Sequence, residues 1–165
     1  MSAPEKPIVN MADVPLREFG KGDKFAAKLG RIGPMLGSTG LGCTLTVVSP
    51  GKRAFPFHRH HVIHEMFLVL DGAGEYRLGD KTYPVRAGDL IAAPAGGEAH
   101  QLINTGADDL RYLSFSTLGE VDVVDYPDSG KMAVAAGIKN ADFNTATYRG
   151  LGRIAAADYW DGEAA

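Results

Sequence analysis

The sequence predicts an all-β protein built as an antiparallel barrel or sandwich. Residues 41–49 alternate between apolar and mixed side chains, and this period of two is typical of a strand with one strongly apolar face. Glycine-containing turns then recur at short intervals between residues 71 and 89. Short strands separated by such dense, regular turns favour an antiparallel barrel or sandwich.

The predicted strands follow one another through most of the chain. Hairpin-type turns at Asp71–Gly74, Gly79–Asp80 and Arg86–Asp89 separate the central ones. In chain order the strands are expected at Phe25–Ile32, Leu41–Ser49, His58–His60, Glu65–Leu70, Glu75–Leu78, Lys81–Val85, Leu90–Ala93, His100–Asn104, Leu110–Thr117 and Val121–Tyr126.

A chain of 165 residues suits one domain with a sizeable core. We expect an N-terminal arm over residues 1–22, a barrel over 23–126 and a C-terminal extension over 127–165 that packs on the barrel or on a partner. The alanine-rich composition of the extension suggests a short helix near Ile154–Tyr159.

The strand that begins at Glu65 is apolar on both faces. One face carries Glu65, Phe67 and Val69, and the other carries Met66, Leu68 and Leu70. A barrel interior covers only the first face, so the second needs cover from the N-terminal arm, another sheet or a second subunit. We predict a homodimer, with burial by the chain's own elements as an equally good alternative.

Composition narrows the class of protein. The net charge is −3 and the pI is about 5.9, so the chain lacks the basic footprint of a nucleic-acid-binding protein. A single cysteine permits no internal disulfide. The sequence shows neither a signal-peptide pattern nor an apolar run approaching the ~20 residues of a membrane span. We therefore expect a soluble cytoplasmic protein with no nucleic-acid or membrane partner.

Four of the five histidines fall between residues 57 and 65. In a strand, His58 and His60 project from the same face, and a turn followed by a second strand returns Glu65 to that face. His100 is the fifth histidine. Three imidazoles and one carboxylate make a mixed nitrogen and oxygen donor set for a metal ion.

The residues around these histidines form two spaced motifs. Residues 51–72 read G-x6-H-x-H-x4-E-x6-G, and residues 88–104 read G-x5-P-x-G-x3-H-x3-N. With these motifs the chain resembles the cupin superfamily, whose motifs have this order and nearly this spacing. The departures are one extra residue before His58 and one before His100, both in expected loop or turn segments where an insertion leaves the facing of ligands unchanged.

The resemblance implies both a fold and a site. The fold would be a double-stranded β-helix, the jelly-roll barrel of cupins. The metal ligands would be His58, His60, Glu65 and His100, which would bind one divalent transition-metal ion. Fe, Mn, Ni, Co and Zn all remain candidates, and one or two coordination positions would be left for water or a small-molecule ligand.

Neighbouring residues are predicted to play lesser roles. His61 and His64 lie off the ligand register and are expected at the surface or behind the ligands. Cys43 is expected to be a buried, inert thiol. Pro94 and Asn104 are expected to be turn and framework residues.

Three functions remain open. The first is a metalloenzyme of isomerase or lyase type, acting without O2 on a small hydroxy, keto or sugar-type compound. The alternatives are an Fe-dependent dioxygenase and a non-catalytic small-molecule-binding module with a structural metal. Catalytic residues are not assigned, although Tyr112 or Tyr76 could carry a proton. A phosphate-bearing substrate is disfavoured because Arg53, Arg59 and Arg111 are expected only at the rim of the pocket.

Overall fold

A computed structural model describes residues 7–139 and 142–163 and consists mainly of β-strands. The strands are β1 Arg17–Lys21, β2 Phe25–Arg31, β3 Leu41–Val48, β4 Arg59–His60, β5 Glu65–Asp71, β6 Ala73–Leu78, β7 Lys81–Arg86, β8 Leu90–Ala93, β9 His100–Ile103, β10 Leu110–Thr117, β11 Val121–Tyr126, β12 Lys131–Ala136 and β13 Tyr148–Gly152. The helix α1 Ile32–Met35 and three 3-10 turns at Met11–Asp13, Pro127–Ser129 and Phe143–Thr145 complete the described elements. None of the described helices is long and apolar enough to cross a bilayer.

The strands form three sheets in which every pairing is antiparallel. The largest has the order β1-β2-β3-β10-β5-β8. The second has the order β13-β12-β11-β4 and the third β7-β6-β9. This arrangement confirms the predicted all-β class.

Two apolar clusters stabilise the sheets. The larger lies inside the barrel and contains Phe67 and Val69 of β5, which are 6% and 1% exposed. The smaller lies on the outer face of the largest sheet, where Val14 packs with Ile32 and Leu45. The apolar face predicted for β3 therefore points outward, and residues before β1 cover part of it.

The predicted arm and extension are integrated into the sheets. β1 pairs with β2 along its whole length, and β12 continues the sheet beyond residue 126 by pairing with β11. The helix expected near Ile154–Tyr159 is wrong, since these residues are exposed and form no helix. A segment this short has no packed apolar face to offset the cost of helix nucleation. The division at residues 22 and 126 remains a prediction.

Two motif residues fix tight connections beside the barrel. Gly72 has φ of 80°, and a Cβ there would lie 2.5 Å from the carbonyl oxygen of Asp109. Asn104 is fully buried, and its side-chain amide donates to the carbonyl oxygens of Val48 at 2.7 Å and Asp108 at 2.8 Å. These contacts hold the connection between β9 and β10 against β3.

Candidate metal centre

Backbone pairing brings the two sequence motifs together. The amide of His58 donates to the carbonyl oxygen of His100 at 3.1 Å, and the reverse bond measures 2.7 Å. Gly96, with φ of 69°, donates its amide to the carbonyl oxygen of His60 at 2.8 Å. The turn after His60 leads into β5, which begins at Glu65. All four predicted ligands therefore meet at one end of the barrel.

The side chains converge on the carboxylate of Glu65. Its Oε2 atom lies 3.2 Å from Nε2 of His100, 3.4 Å from Nε2 of His60 and 3.9 Å from Nε2 of His58. His58, Glu65 and His100 each offer one ligand atom within 4.8 Å of the others, so they could hold a metal ion. Ligation by His60 as a fourth donor remains a prediction.

Hydrogen bonds behind the imidazoles orient two of the ligands. Nδ1 of His58 lies 2.8 Å from the carbonyl oxygen of Pro56, which can only accept. Nδ1 of His60 lies 2.5 Å from Oδ2 of Asp122. Each Nδ1 therefore carries the proton, and each Nε2 presents a lone pair towards Glu65. This is the donor geometry that a metal-binding imidazole needs.

The electrostatics of the cluster also suit a cation. Burial, with a smaller contribution from the neighbouring His100, lowers the pKa of His58 to about 4, which keeps this ring neutral at pH 7. Burial alone would raise the pKa of Glu65, but the hydrogen bond from His100 and the nearby imidazoles lower it overall. Burial would also lower the pKa of His60, yet the bond to Asp122 and the charge of Glu65 raise it. The cluster thus retains a buried carboxylate among imidazoles.

Asp122 is a site residue that sequence reasoning missed. It lies on β11 and is 1% exposed, and its Oδ1 atom has no hydrogen-bond partner within the described residues. Asp122, Val124 and Tyr126 share one face of β11 and line the same cavity as the ligands. An acidic residue alternating with Val124 and Tyr126 was the signal available in the sequence.

The four predicted ligands line a cavity of about 830 Å³. Its wall is largely apolar and aromatic, with contributions from Phe55, Phe67, Tyr112, Tyr126 and Phe143. Ligand pockets of about 300–1,000 Å³ with such walls and a few polar groups are typical small-molecule sites. The arrangement therefore places a potential metal ion where a bound organic molecule could reach it.

Comparison with known proteins identifies the family. Residues 44–116 match the family model described as "Cupin domain". The chain contains a cupin domain. The double-stranded β-helix that the motifs imply is thus confirmed, because the structural neighbours are cupin-fold proteins.

The relatives of this cupin differ in function. An oxalate-binding protein from Thermotoga maritima is 35% identical over 65 residues, which make up 39% of this chain and 53% of that protein. The chain thus spans about half the length of this relative. A sugar phosphate isomerase from Silicibacter pomeroyi superposes with a TM-score of 0.75 at 21% identity, over 89% of this chain and 92% of that chain. A provisionally assigned sugar phosphate isomerase from Acidithiobacillus ferrooxidans gives a TM-score of 0.74 at 24% identity, over 88% and 91%. These two structures show the fold alone.

The cationic residues of the cavity differ from the rim residues expected from sequence. Arg31 and Arg149 line the cavity, whereas Arg53, Arg59 and Arg111 are not among its described lining residues. Arg59 points away from the ligands and forms two bonds to Asp125, at 2.8 and 3.2 Å. The sequence reading followed only the strands near the motifs, so it missed cations supplied from β2 and β13.

The other singled-out residues of this cupin lie outside the ligand cluster. His61 is exposed and contacts Asp125 at 2.9 Å. Cys43 packs in the outer apolar cluster, and burial raises the pKa of its thiol. Tyr76 donates its hydroxyl to the carbonyl oxygen of Ala92 at 3.3 Å and does not line the cavity, which makes it a poor proton carrier. Tyr112 does line the cavity.

His64→Ala is expected to leave metal content unchanged and any activity within about tenfold of the parent. His64 is exposed, and its Nδ1 accepts a 3.4 Å bond from the amide of Ala95, outside the cavity lining. Removal of a general acid or base costs at least about 10²-fold. Elemental analysis and turnover measurements check this. A loss of several hundredfold in kcat with the metal retained would place His64 in the reaction.

Proposed function

We propose that this cupin is a metal-dependent enzyme of isomerase or lyase type that acts on a small hydroxy, keto or sugar-type compound. One divalent ion would be held by His58, His60, Glu65 and His100. The observation that carries the proposal is the convergence of three imidazole Nε2 atoms on the Glu65 carboxylate inside a cavity of ligand size. The sugar phosphate isomerase among the structural neighbours is consistent with this class.

The residues of the cavity have distinct roles in this proposal. A bound divalent ion would supply Lewis-acid polarisation of a substrate carbonyl or hydroxyl oxygen. The aromatic wall excludes water around the reacting atoms. Tyr126 stacks on His58 with a ring separation of 6.2 Å, and burial together with the nearby Asp122 raises its pKa. Its phenol therefore stays protonated at neutral pH and can donate a proton to an oxygen of the substrate.

Solvent exchange tests the proposed chemistry. Metal-reconstituted protein would be incubated in D2O with hydroxy acids, keto acids and sugars, and NMR would follow the C–H bonds next to each carbonyl. The proposal predicts deuterium incorporation or product formation with at least one compound, and none with Glu65→Gln. O2 consumption by iron-loaded protein, with no such exchange, would contradict it in favour of a dioxygenase.

The outer face of β5 supports a homodimer. Leu70 packs in the outer cluster with Val14, so residues before β1 cover that end of the row. Met66 remains 47% exposed and Leu90 67% exposed, and Leu90 pairs directly with Leu68 on the neighbouring strand. A second copy of the chain would cover this remaining apolar end.

Leu68→Glu is expected to convert the dimer into a monomer without changing metal content. A charge at the centre of an apolar interface is left without a partner on association. Sedimentation at micromolar concentration measures the change, and Leu90→Glu serves as a second variant because its exposed side chain is not needed for folding. A wild-type monomer under these conditions would contradict the proposal.

Two further expectations rest on composition alone. The cytoplasmic location and the lack of a nucleic-acid partner remain predictions.

A further inference from the structure

A row of polar side chains crosses the wall of the cavity. Arg31 of β2 is paired with Thr44 of β3, and Thr44 is paired with Ser114 of β10. All three residues line the cavity. Side chains directly opposite one another on antiparallel strands have Cβ atoms about 4.5–5.5 Å apart, so the three form a continuous polar row.

The polar row lies close to the ligand cluster. Ser114 is paired on its other side with Phe67 of β5, and Ser116, two residues further along β10, is paired with Glu65. Two residues along a strand span about 7 Å. A molecule that contacts a metal ion at Glu65 can therefore also reach the polar row.

Ser114 indicates that a ligand contacts this row. Its Oγ atom is buried and has no hydrogen-bond partner within the described residues. A buried hydroxyl left without a partner is costly, and it is usually explained by a group that binds there. The cavity beside Ser114 offers room for such a group.

A second cation reaches the cavity from the C-terminal hairpin. Arg149 of β13 lines the cavity, and its Nη1 donates to Oδ1 of Asn144 at 2.9 Å. Asn144 is in turn held by Asp142, whose Oδ1 accepts its amide bonds at 2.9 and 3.0 Å. A guanidinium has five N–H donors, so this anchoring orients Arg149 and leaves donors for a ligand.

The charges along the described cavity wall separate into two regions. The carboxylates of Glu65 and Asp122 are engaged with the imidazoles, and that of Asp142 caps its own turn. Arg31 and Arg149 are the arginines among the described lining residues, and no lysine is among them. The part of the wall contributed by β2 and β13 therefore favours an anion.

We propose that Arg31, Thr44, Ser114 and Arg149 form a subsite for an anionic oxygen group, a carboxylate or a phosphate, at the end of the substrate remote from the metal ligands. This inference rests on the proposed function and specifies its substrate class. The substrate has an oxygen function at the ligand end, an apolar or neutral middle and an anion at the other end. The cavity of about 830 Å³ holds a molecule much larger than a two-carbon diacid.

Calorimetry with small probes tests the subsite in metal-loaded protein. Phenyl phosphate and phenylacetate represent the two anions, and benzyl alcohol is the neutral control. Arg31→Gln and Arg149→Gln are each expected to weaken the tighter of the two anions about tenfold to a hundredfold, because each removes charge-assisted hydrogen bonds. Benzyl alcohol binding should stay within about twofold. The tighter anion identifies the natural group as phosphate or carboxylate.

Arg111→Gln is the matched control. Arg111 lies on β10 among the subsite strands but outside the cavity lining, so its loss should leave anion binding unchanged. Arg31→Lys keeps the charge and should retain part of the affinity, which covers the case in which Arg31→Gln misfolds. Unchanged anion affinity in both glutamine variants, or no anion binding by the wild type, would overturn the subsite. Metal content is measured in the same samples, and its absence would instead overturn the proposed function.

Discussion

Glu65→Gln is expected to abolish stoichiometric metal binding and with it any activity. The Oε2 atom of Glu65 lies within 3.9 Å of all three imidazole Nε2 atoms, so its negative charge is central to the site. A neutral amide removes that charge and replaces one oxygen donor. The loss of metal affinity should exceed the 10–100-fold that follows removal of a ligand's hydrogen-bond partner. Titration of metal-free protein with Zn²⁺ or Mn²⁺ measures the change.

Glu98→Gln is the control for this substitution. Glu98 is an exposed carboxylate in the connection before His100 and does not line the cavity. Its replacement should leave one metal ion per chain. The metal assignment would be wrong if Glu65→Gln, with a native circular dichroism spectrum, still bound one ion as tightly as the parent.

Asp122→Asn is expected to weaken metal binding by about 10–100-fold while leaving the barrel folded. Asp122 accepts the Nδ1 proton of His60 at 2.5 Å and so keeps the Nε2 lone pair facing the ligand cluster. An amide can accept the same proton but adds no negative charge to strengthen the imidazole as a donor. Competition with a chelator of known affinity provides the measurement, and Asp122→Ala should lose at least as much.

Asp125→Asn provides a matched control on the same strand. Asp125 faces away from the cavity and pairs with Arg59 and His61. Its replacement should lower the thermal stability slightly and leave metal affinity unchanged. Equal metal affinity for Asp122→Asn and Asp125→Asn would show that Asp122 has no role in positioning His60.

Local sequence patterns predicted most of the strands and the position of the ligands. The period of two in β3 and β5 is a direct consequence of the pleated backbone, so it is visible without tertiary information. The spacing of His58, His60, Glu65 and His100 depends on short turns, and the structure brings all four together. The strand β10 was predicted with the bounds that it has in the structure, Leu110–Thr117.

The missed residues depend on long-range pairing. Asp122 reaches His60 only because β11 pairs with β4, more than sixty positions earlier in the chain. Arg149 reaches the cavity only because β13 pairs with β12 in one particular register. Neither register is encoded in a local pattern. The helix expected near Ile154–Tyr159 failed for a related reason, since local propensity counts for little without a packed face.

Elemental analysis of protein purified without a metal-chelating tag tests the central claim most directly. The account predicts about one divalent transition-metal ion per chain, lost in Glu65→Gln and retained in Glu98→Gln. Its identity would also separate the remaining chemistries, because iron that must be reduced before O2 uptake would favour a dioxygenase. A clean preparation that carries no stoichiometric metal, and takes up none on titration with Fe, Mn, Ni, Co or Zn, would contradict the account.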